Sequence, residues 1–257
     1  MAVPSKGAIA IGVTALHSRP RARRRVVAGL AVLAAGLAGL ALPAPAAQAA
    51  TARAATARSP AVAAAVTAAQ PTLRNGSRGA QVTRLQKRLA ALRYDVGAVD
   101  GVFGGDTLHA VYAFQKVQRI GVDGVVGPAT WAKLAAPRVP APRHKLSAAA
   151  VEVNLTTRVV YLTKNGKVTR IVDASPGKRA TPTVTGSYRF SRRINGWRDA
   201  PLGLLWRPYY FKGGYALHGS TSVPTYAASH GCVRVTMSAM NRLWTKLTIG
   251  QRIYVYR

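Results

Sequence analysis

The sequence predicts a multidomain α and β protein: a small helical unit over residues 72–135, then a mostly antiparallel β unit over 148–257 with one packed helix. Three observations carry this. Between 80 and 134 apolar residues recur every three or four positions, the period of a helix face. From 150 onwards the period shortens to two, the alternation of a strand. Between them "APRVPAPRHKLS" (136–147) is rich in proline. Proline favours extended backbone of about 3 Å per residue, so this linker has a reach of roughly 30 Å.

In the helical unit, "AQVTRLQKRLAAL" aligns Val82, Leu85, Leu89 and Leu92 on one face. "DTLHAVYAFQKV" aligns Leu108, Val111 and Phe114, with Asp106 expected as N-cap. "GPATWAKL" puts Pro128 in a first turn and Trp131 beside Leu134. There is an internal repeat. "VDGVFGGDT" (99–107) returns as "VDGVVGPAT" (122–130), and "VTRLQ" (82–86) as "VYAFQ" (111–115). Two similar helix–turn units packed on each other are implied.

In the β unit, "VEVNLTTRVVYLTKNGKVTRIVDAS" alternates through Val151, Val153 and Leu155. Two β-rich runs flank Asn165-Gly166, a strong hairpin signal. "GSYRFS" and "RIYVYR" also alternate. A helix is expected from Thr236, its N-cap, through Leu247, with Met240, Leu243 and Leu247 on one face.

The first 49 residues read as a signal peptide. A basic cluster, Arg19 to Arg25, precedes the uncharged run Val26 to Leu42, then Pro43, Pro45 and the small-residue site Ala47-Gln48-Ala49. Export with cleavage is expected, the alternative being a retained N-terminal membrane anchor. Residues 50–71, Ala-rich and nearly devoid of large apolar side chains, read as a disordered spacer.

Export permits disulfides, yet the chain has one cysteine, Cys232. A lone thiol is an intermolecular link, a buried packing residue or a reactive group. Its surroundings, "YALHGSTSVPTYAASHGCVRV" (215–235), supply two of the five histidines. A neutral imidazole can take the thiol proton and later return it to a leaving amine. His218, on a separate strand-like stretch ending at Gly219, is favoured as that base. His230 is expected on the side of its own segment away from Cys232, as a supporting group. Gly231 removes bulk beside the nucleophile, and main-chain N–H groups at 231–232 are expected to form an oxyanion hole. Ser229 is expected to hydrogen-bond locally. Metal binding is poorly supported: a His-x-Cys pair and one distant His lack the close ligand spacing of a metal site, and no cofactor is called for. His17 falls in the leader, His144 in the linker, and His109 is expected to face solvent.

The stretch "LRNGSRGAQVTRLQKRLAALRYDVGAVDGVFGGDTLHAVYAFQKVQRIGVDGVVGPATWAKL" resembles the small peptidoglycan-binding domain family, in both Asp-Gly turns, both Gln-bearing helices and the closing Thr-Trp. The resemblance implies a three-helix bundle that attaches wall-modifying enzymes to peptidoglycan. Asp100, Thr107 and Gln115, polar residues near the turns, are the candidates for touching glycan. "HG" followed by "SHGCVR", with "VNLTTRVVYLTKNGKV", "TPTVTGSYRF" and "GQRIYV", resembles the L,D-transpeptidase catalytic domain of the YkuD type over about 148–256. That resemblance implies Cys232 as nucleophile and His218 as general base and acid. The main chain at Gly219 would orient the imidazole, with His230 and Gly231 shaping the site. Ser229, Arg234 and Tyr215 are candidates for contacting substrate.

The implied activity is a secreted L,D-transpeptidase. A thioester on Cys232 would form 3→3 cross-links between a tetrapeptide stem donor and a stem amine acceptor. Carbapenem-type β-lactams are the expected inhibitors. Hydrolysis of the same acyl-enzyme, an L,D-carboxypeptidase, and a non-catalytic wall-binding protein are the alternatives. A papain-like thiol endopeptidase is disfavoured, because there the cysteine precedes the histidine.

Charge fits a wall setting. There are 37 Lys and Arg against 7 Asp and Glu, a net +30. Residues 1–49 hold six of the cations and no acid, leaving 31 against 7, or +24. The mature cations are scattered rather than in a dense run. This points to retention on anionic cell-wall polymers rather than to nucleic acid.

Overall fold

The computed structural model describes residues 70–257; the expected signal peptide, 1–49, and residues 50–69 of the expected spacer lie outside the described residues. The helical unit comprises α1 (Ala80–Ala91), α2 (Gly105–Gln118) and α3 (Pro128–Ala135). Val82, Leu85, Leu89, Val111 and Phe114 are fully buried, as their spacing requires. The internal repeat is a repeat of hydrogen bonds. Gln86 Nε2 donates to Asp100 (2.8 Å), Val102 O (3.1 Å) and Thr107 (3.0 Å), while its Oε1 accepts from Gly101 N. Gln115 makes the same set with Asp123 (2.7 Å), Val125 O, Thr130 and Gly124 N. Each glutamine fastens one Asp-Gly turn to the helix start that follows it. Asp106 is not the N-cap of α2, which is Gly104; its carboxylate serves another partner, below.

The β unit holds two five-stranded sheets. The first has the order β3 (Lys167–Asp173), β2 (Val159–Lys164), β1 (Ala150–Asn154), β10 (Arg252–Tyr256), β4 (Gly186–Arg189). The second runs β5 (Arg192–Arg193), β7 (Gly203–Lys212), β8 (Tyr215–Ser220), β9 (Val233–Thr236), with β6 (Trp197–Ala200) paired to β7. All pairings are antiparallel except β1 with β10 and β8 with β9. The β2–β3 hairpin turns at Asn165-Gly166, both at positive φ (52° and 65°), as a type I′ turn demands. Helix α4 spans Met237–Trp244; Thr236 caps it by accepting from Ala239 N at 3.1 Å. Its regular turns end three residues before Leu247, but Met240, Leu243 and Leu247 all enter the core between the sheets.

The half-buried alternation expected for β1 is replaced by burial on both faces. The first sheet is a middle layer. Val153, Val160 and Leu162 pack toward the second sheet and α4. Val159, Tyr161 and Ile171 join the core of the helical unit. The linker is correspondingly bound rather than a free spacer. Arg138 N donates to Gln118 (2.7 Å), and the backbone N–H groups of Arg143 and His144 donate to the Glu152 carboxylate, whose side chain is otherwise entombed. His144 lies flat on Tyr254, ring centroids 3.7 Å apart.

Polar contacts seal the two units together. Lys116 of α2 meets Asp173 at 2.6 Å. Arg242 of α4 reaches Asp95 (3.0 Å) and Asp106 (2.8 Å), and Arg170 also pairs with Asp95. His109 does not face solvent as expected, for its Nδ1 is 2.7 Å from Asp173. Pattern reading assigns α2 to a separate domain, so a partner on β3 was not visible to it.

Candidate active site

The parallel pair β8–β9 builds the site. Leu217 opposes Val233, and His218 opposes Arg234. Strand alternation sends Leu217, Val233 and Val235 into the core and leaves His218 and Arg234 on the other face. Cys232 immediately precedes β9 and packs beside Leu205, Tyr210 and Ala216. His218, His230, Cys232 and Arg234 all line one cavity of about 410 Å³. The strand spacing of about 4.8 Å brings the imidazole and the thiol in from adjacent segments of the sheet.

Position and protonation of His218 are fixed together. Its Nδ1 lies 2.8 Å from the carbonyl oxygen of Gly219. A carbonyl only accepts, so Nδ1 carries the hydrogen and Nε2 presents a lone pair. The ring is 3% exposed. Burial pushes its pKa down to about 4, against the Gly219 hydrogen bond and with help from the Arg234 charge. Gly219 is required here. A Cβ on it would stand 2.8 Å from the Trp206 ring and 3.1 Å from Met240 Cβ, so any larger residue would push the strand and its imidazole off the helix below.

Burial also raises the pKa of Cys232, opposed by the Ala216 N–H and by the Arg234 charge. The Sγ points toward Gly214 O at 3.6 Å. The resting pair is thus neutral thiol and neutral imidazole, with the base already in its proton-accepting form.

The loop before Cys232 is braced. Ser229 Oγ accepts from Gly231 N at 3.0 Å and donates to Cys232 O. Ser229 O in turn accepts from Lys178 N and Thr181 Oγ1. Gly231 sits at φ +123°, and a Cβ there would lie 2.6 Å from the Tyr215 ring. Strain and contact both demand glycine.

Both units match known families. Residues 78–134 match the peptidoglycan binding domain family, and 148–255 match the L,D-transpeptidase catalytic domain of the YkuD type. A crystal structure of an L,D-transpeptidase from Xylanimonas cellulosilytica is 43% identical, with a TM-score of 0.68, over 72% of this chain and 97% of that one. The chain belongs to the L,D-transpeptidase family. The N-acetylmuramoyl-L-alanine amidase CwlL of Bacillus licheniformis is 46% identical over 66 residues, 25% of this chain and 18% of the amidase. The chain therefore spans less than a fifth of that relative.

Several expected details of the transpeptidase site change. His230 is not turned away from Cys232, since both line the same cavity. Residues two apart in an extended strand share a face, and here the segment also bends at Gly231. His230 is exposed, its Nε2 3.4 Å from Lys178 Nζ. The Gly231 N–H, expected in the oxyanion hole, is taken by Ser229. Ser229 lines the cavity at 1% exposure, and its hydroxyl makes the expected local hydrogen bonds within the loop. Tyr215 packs its ring on Gly231 and does not line the cavity. In the helical unit, Thr107 and Gln115 are 2% and 1% exposed and serve as the internal fasteners described above. Asp100 is exposed, yet its carboxylate is engaged by Gln86 and Val102 N and its pKa is lowered by the Gln86 bond first.

The structure adds cavity residues that no motif announced: Arg192 and Arg198 from β5 and β6, Tyr210 from β7, and the exposed Leu202 and Leu204 at the β6–β7 turn. The run Arg192-Arg193 and the turn-like Asn195-Gly196 were the available signals. Nothing in the sequence said which sheet face they would occupy.

Proposed function

We propose that the chain is an exported, cell-wall-associated cysteine L,D-transpeptidase that forms 3→3 peptidoglycan cross-links. The observation supporting this reading is the His218 tautomer: a neutral imidazole, Nδ1 pinned to Gly219 O, opening its Nε2 into the cavity that holds the one thiol.

The donor is a wall tetrapeptide stem. Its scissile bond joins the third residue's carbonyl to the amine of the fourth. Cys232 Sγ forms the new bond to that carbonyl carbon as its proton passes to His218 Nε2. The tetrahedral oxyanion faces the Cys232 N–H, the main-chain donor left once Ser229 has taken that of Gly231. On collapse, the C–N bond breaks and His218 gives its proton to the departing amine. An amine from a second stem then attacks the thioester, loses its proton to His218, and releases the sulfur. Burial of both groups keeps the resting thiol protonated, so thiolate forms only as attack proceeds. Exclusion of water from the acyl-enzyme, to which the apolar Leu202, Leu204 and Leu205 contribute, separates transfer from hydrolysis.

The packed helical unit would hold the domain on peptidoglycan and raise the local concentration of stems. The test is intact-protein mass spectrometry after meropenem treatment, with product analysis on tetrapeptide stems. An adduct on the wild-type chain and none on Cys232→Ala, with a dimer joined through the third residues, is expected. A cross-linking Cys232→Ala chain overturns the reading; a free tripeptide as sole product replaces it by a carboxypeptidase.

A further inference from the structure

The cavity is cationic and carries no counter-charge of its own. Arg192, Arg198 and Arg234 line it, and no Asp or Glu does. All seven acids of the chain fall among the described residues. Six are engaged elsewhere: Asp95, Asp106 and Asp173 in ion pairs, Asp100 and Asp123 in the glutamine-fastened turns, Glu152 under the linker. The seventh, Asp199, neighbours Arg198 on β6 but is not among the residues that line the cavity.

A basic chain carries arginine on every surface, so number alone means little. Placement is what separates these three. Arg192 is the cross-strand partner of Tyr210, and its guanidinium lies over that ring, 4.1 Å from the centroid. Tyr210 is 4% exposed and lines the cavity, so stacking lays the cation along the wall rather than into solvent. Arg198 pairs with Leu205, another wall residue. Arg234 is the register partner of His218. It lies two residues, about 7 Å of strand, beyond the thiol. Three guanidiniums from three strands thus line the cavity that holds the thiol, each a planar fork matched to carboxylate.

We propose that this cavity selects peptides whose carboxylates flanking the scissile amide are free acids rather than carboxamides, and that Arg192 and Arg198 are the specificity-determining residues. This rests on the transpeptidase reading for its substrate and deepens it. A carboxamide keeps the shape of the acid but loses the charge and both fork acceptors. The guanidiniums facing it then stay unpaired.

Two matched synthetic stems, one with free carboxylates and one with carboxamides at those positions, decide it on the full chain. With wild type, kcat/KM for the acid stem should exceed that for the amide by at least about tenfold, shrinking as salt is raised. An R192Q/R198Q chain with an unchanged unfolding midpoint should bring the ratio within about twofold, mainly by loss on the acid stem. Calorimetric binding of the same two stems to Cys232→Ala gives the preference without catalysis. Equal use of both stems by wild type, or a preference that survives R192Q/R198Q, overturns the proposal. Acid-selective binding without any acyl transfer by wild type leaves it standing and overturns the transpeptidase reading alone.

Discussion

Lys116 of α2 and Asp173 at the end of β3 form a 2.6 Å ion pair in which both side chains are 1% exposed. Lys116 also donates to Ala174 O at 3.1 Å. The next residue, Ser175, pairs by both backbone groups with Arg234. The helical unit is therefore linked through Asp173 and Ser175 to the strand that follows the nucleophile. Burial lowers the Lys116 pKa, and the Asp173 carboxylate opposes that shift.

Removing one partner leaves the other charge buried. Lys116→Met or Asp173→Leu should each destabilise the chain by about 3–5 kcal/mol, and the double variant by much less. Because Val159, Tyr161 and Ile171 belong to the helical unit's core, helix and sheet signals should fall in a single denaturant transition. Two separate transitions in wild type, or an unmoved midpoint in the single variants, would contradict the shared core.

The acidic limb of activity should be low. A base whose folded pKa is about 4 stays neutral, and able to accept a proton, throughout the neutral range. The rate of meropenem acylation should therefore fall only as pH drops toward 4. An ordinary histidine would show its limb near 6.5. Stability should follow the same sign: the unfolded histidine binds its proton first, so folding weakens as pH falls from about 6.5 toward 4. A limb above pH 6 in the pH–rate profile would show that His218 is not held as described.

Gly231→Ala should lower acylation about a hundredfold with little loss of fold, since small displacements of reacting groups carry that penalty. The added Cβ meets the Tyr215 ring at 2.6 Å and the backbone holds φ +123°. Pairing it with Tyr215→Ala should recover part of the rate, the φ strain remaining. No recovery, with full activity in Tyr215→Ala alone, would assign the defect to backbone strain only.

Ser229→Ala should act on the loop. Losing its bonds to Gly231 N and Cys232 O should reduce stability by about 1–3 kcal/mol and slow acylation, leaving KM for the stem nearly unchanged. A raised KM with normal stability would return Ser229 to substrate contact.

Gln86→Leu and Gln115→Leu should destabilise the chain as a whole rather than weaken wall binding by a folded chain. Each glutamine is buried and makes four hydrogen bonds to its turn. Sedimentation with isolated wall sacs alongside helix content would separate the two outcomes.

Local patterns in the sequence were enough for the three helices, the Asn165-Gly166 hairpin, the Thr236 cap, the repeat, and the sulfur and imidazole in "HG" and "SHGC". Each depends on neighbours a few positions away, where side-chain spacing and turn chemistry act directly. What tertiary structure decided are contacts between distant segments. The linker is bound because Glu152 needs donors once both faces of its sheet are covered. His109 and Asp106 serve the β unit because α2 packs against it, and Arg192 and Arg198 reach the cavity because β5 and β6 both pair with β7, whose Leu205 and Tyr210 line it. The sequence placed Ser229 in local hydrogen bonding but did not say that the Gly231 N–H would be one of its partners, since a hydroxyl or an N–H is available to substrate only if no nearer group has already claimed it. Such claims are settled in space, by desolvation, and leave no period in the chain.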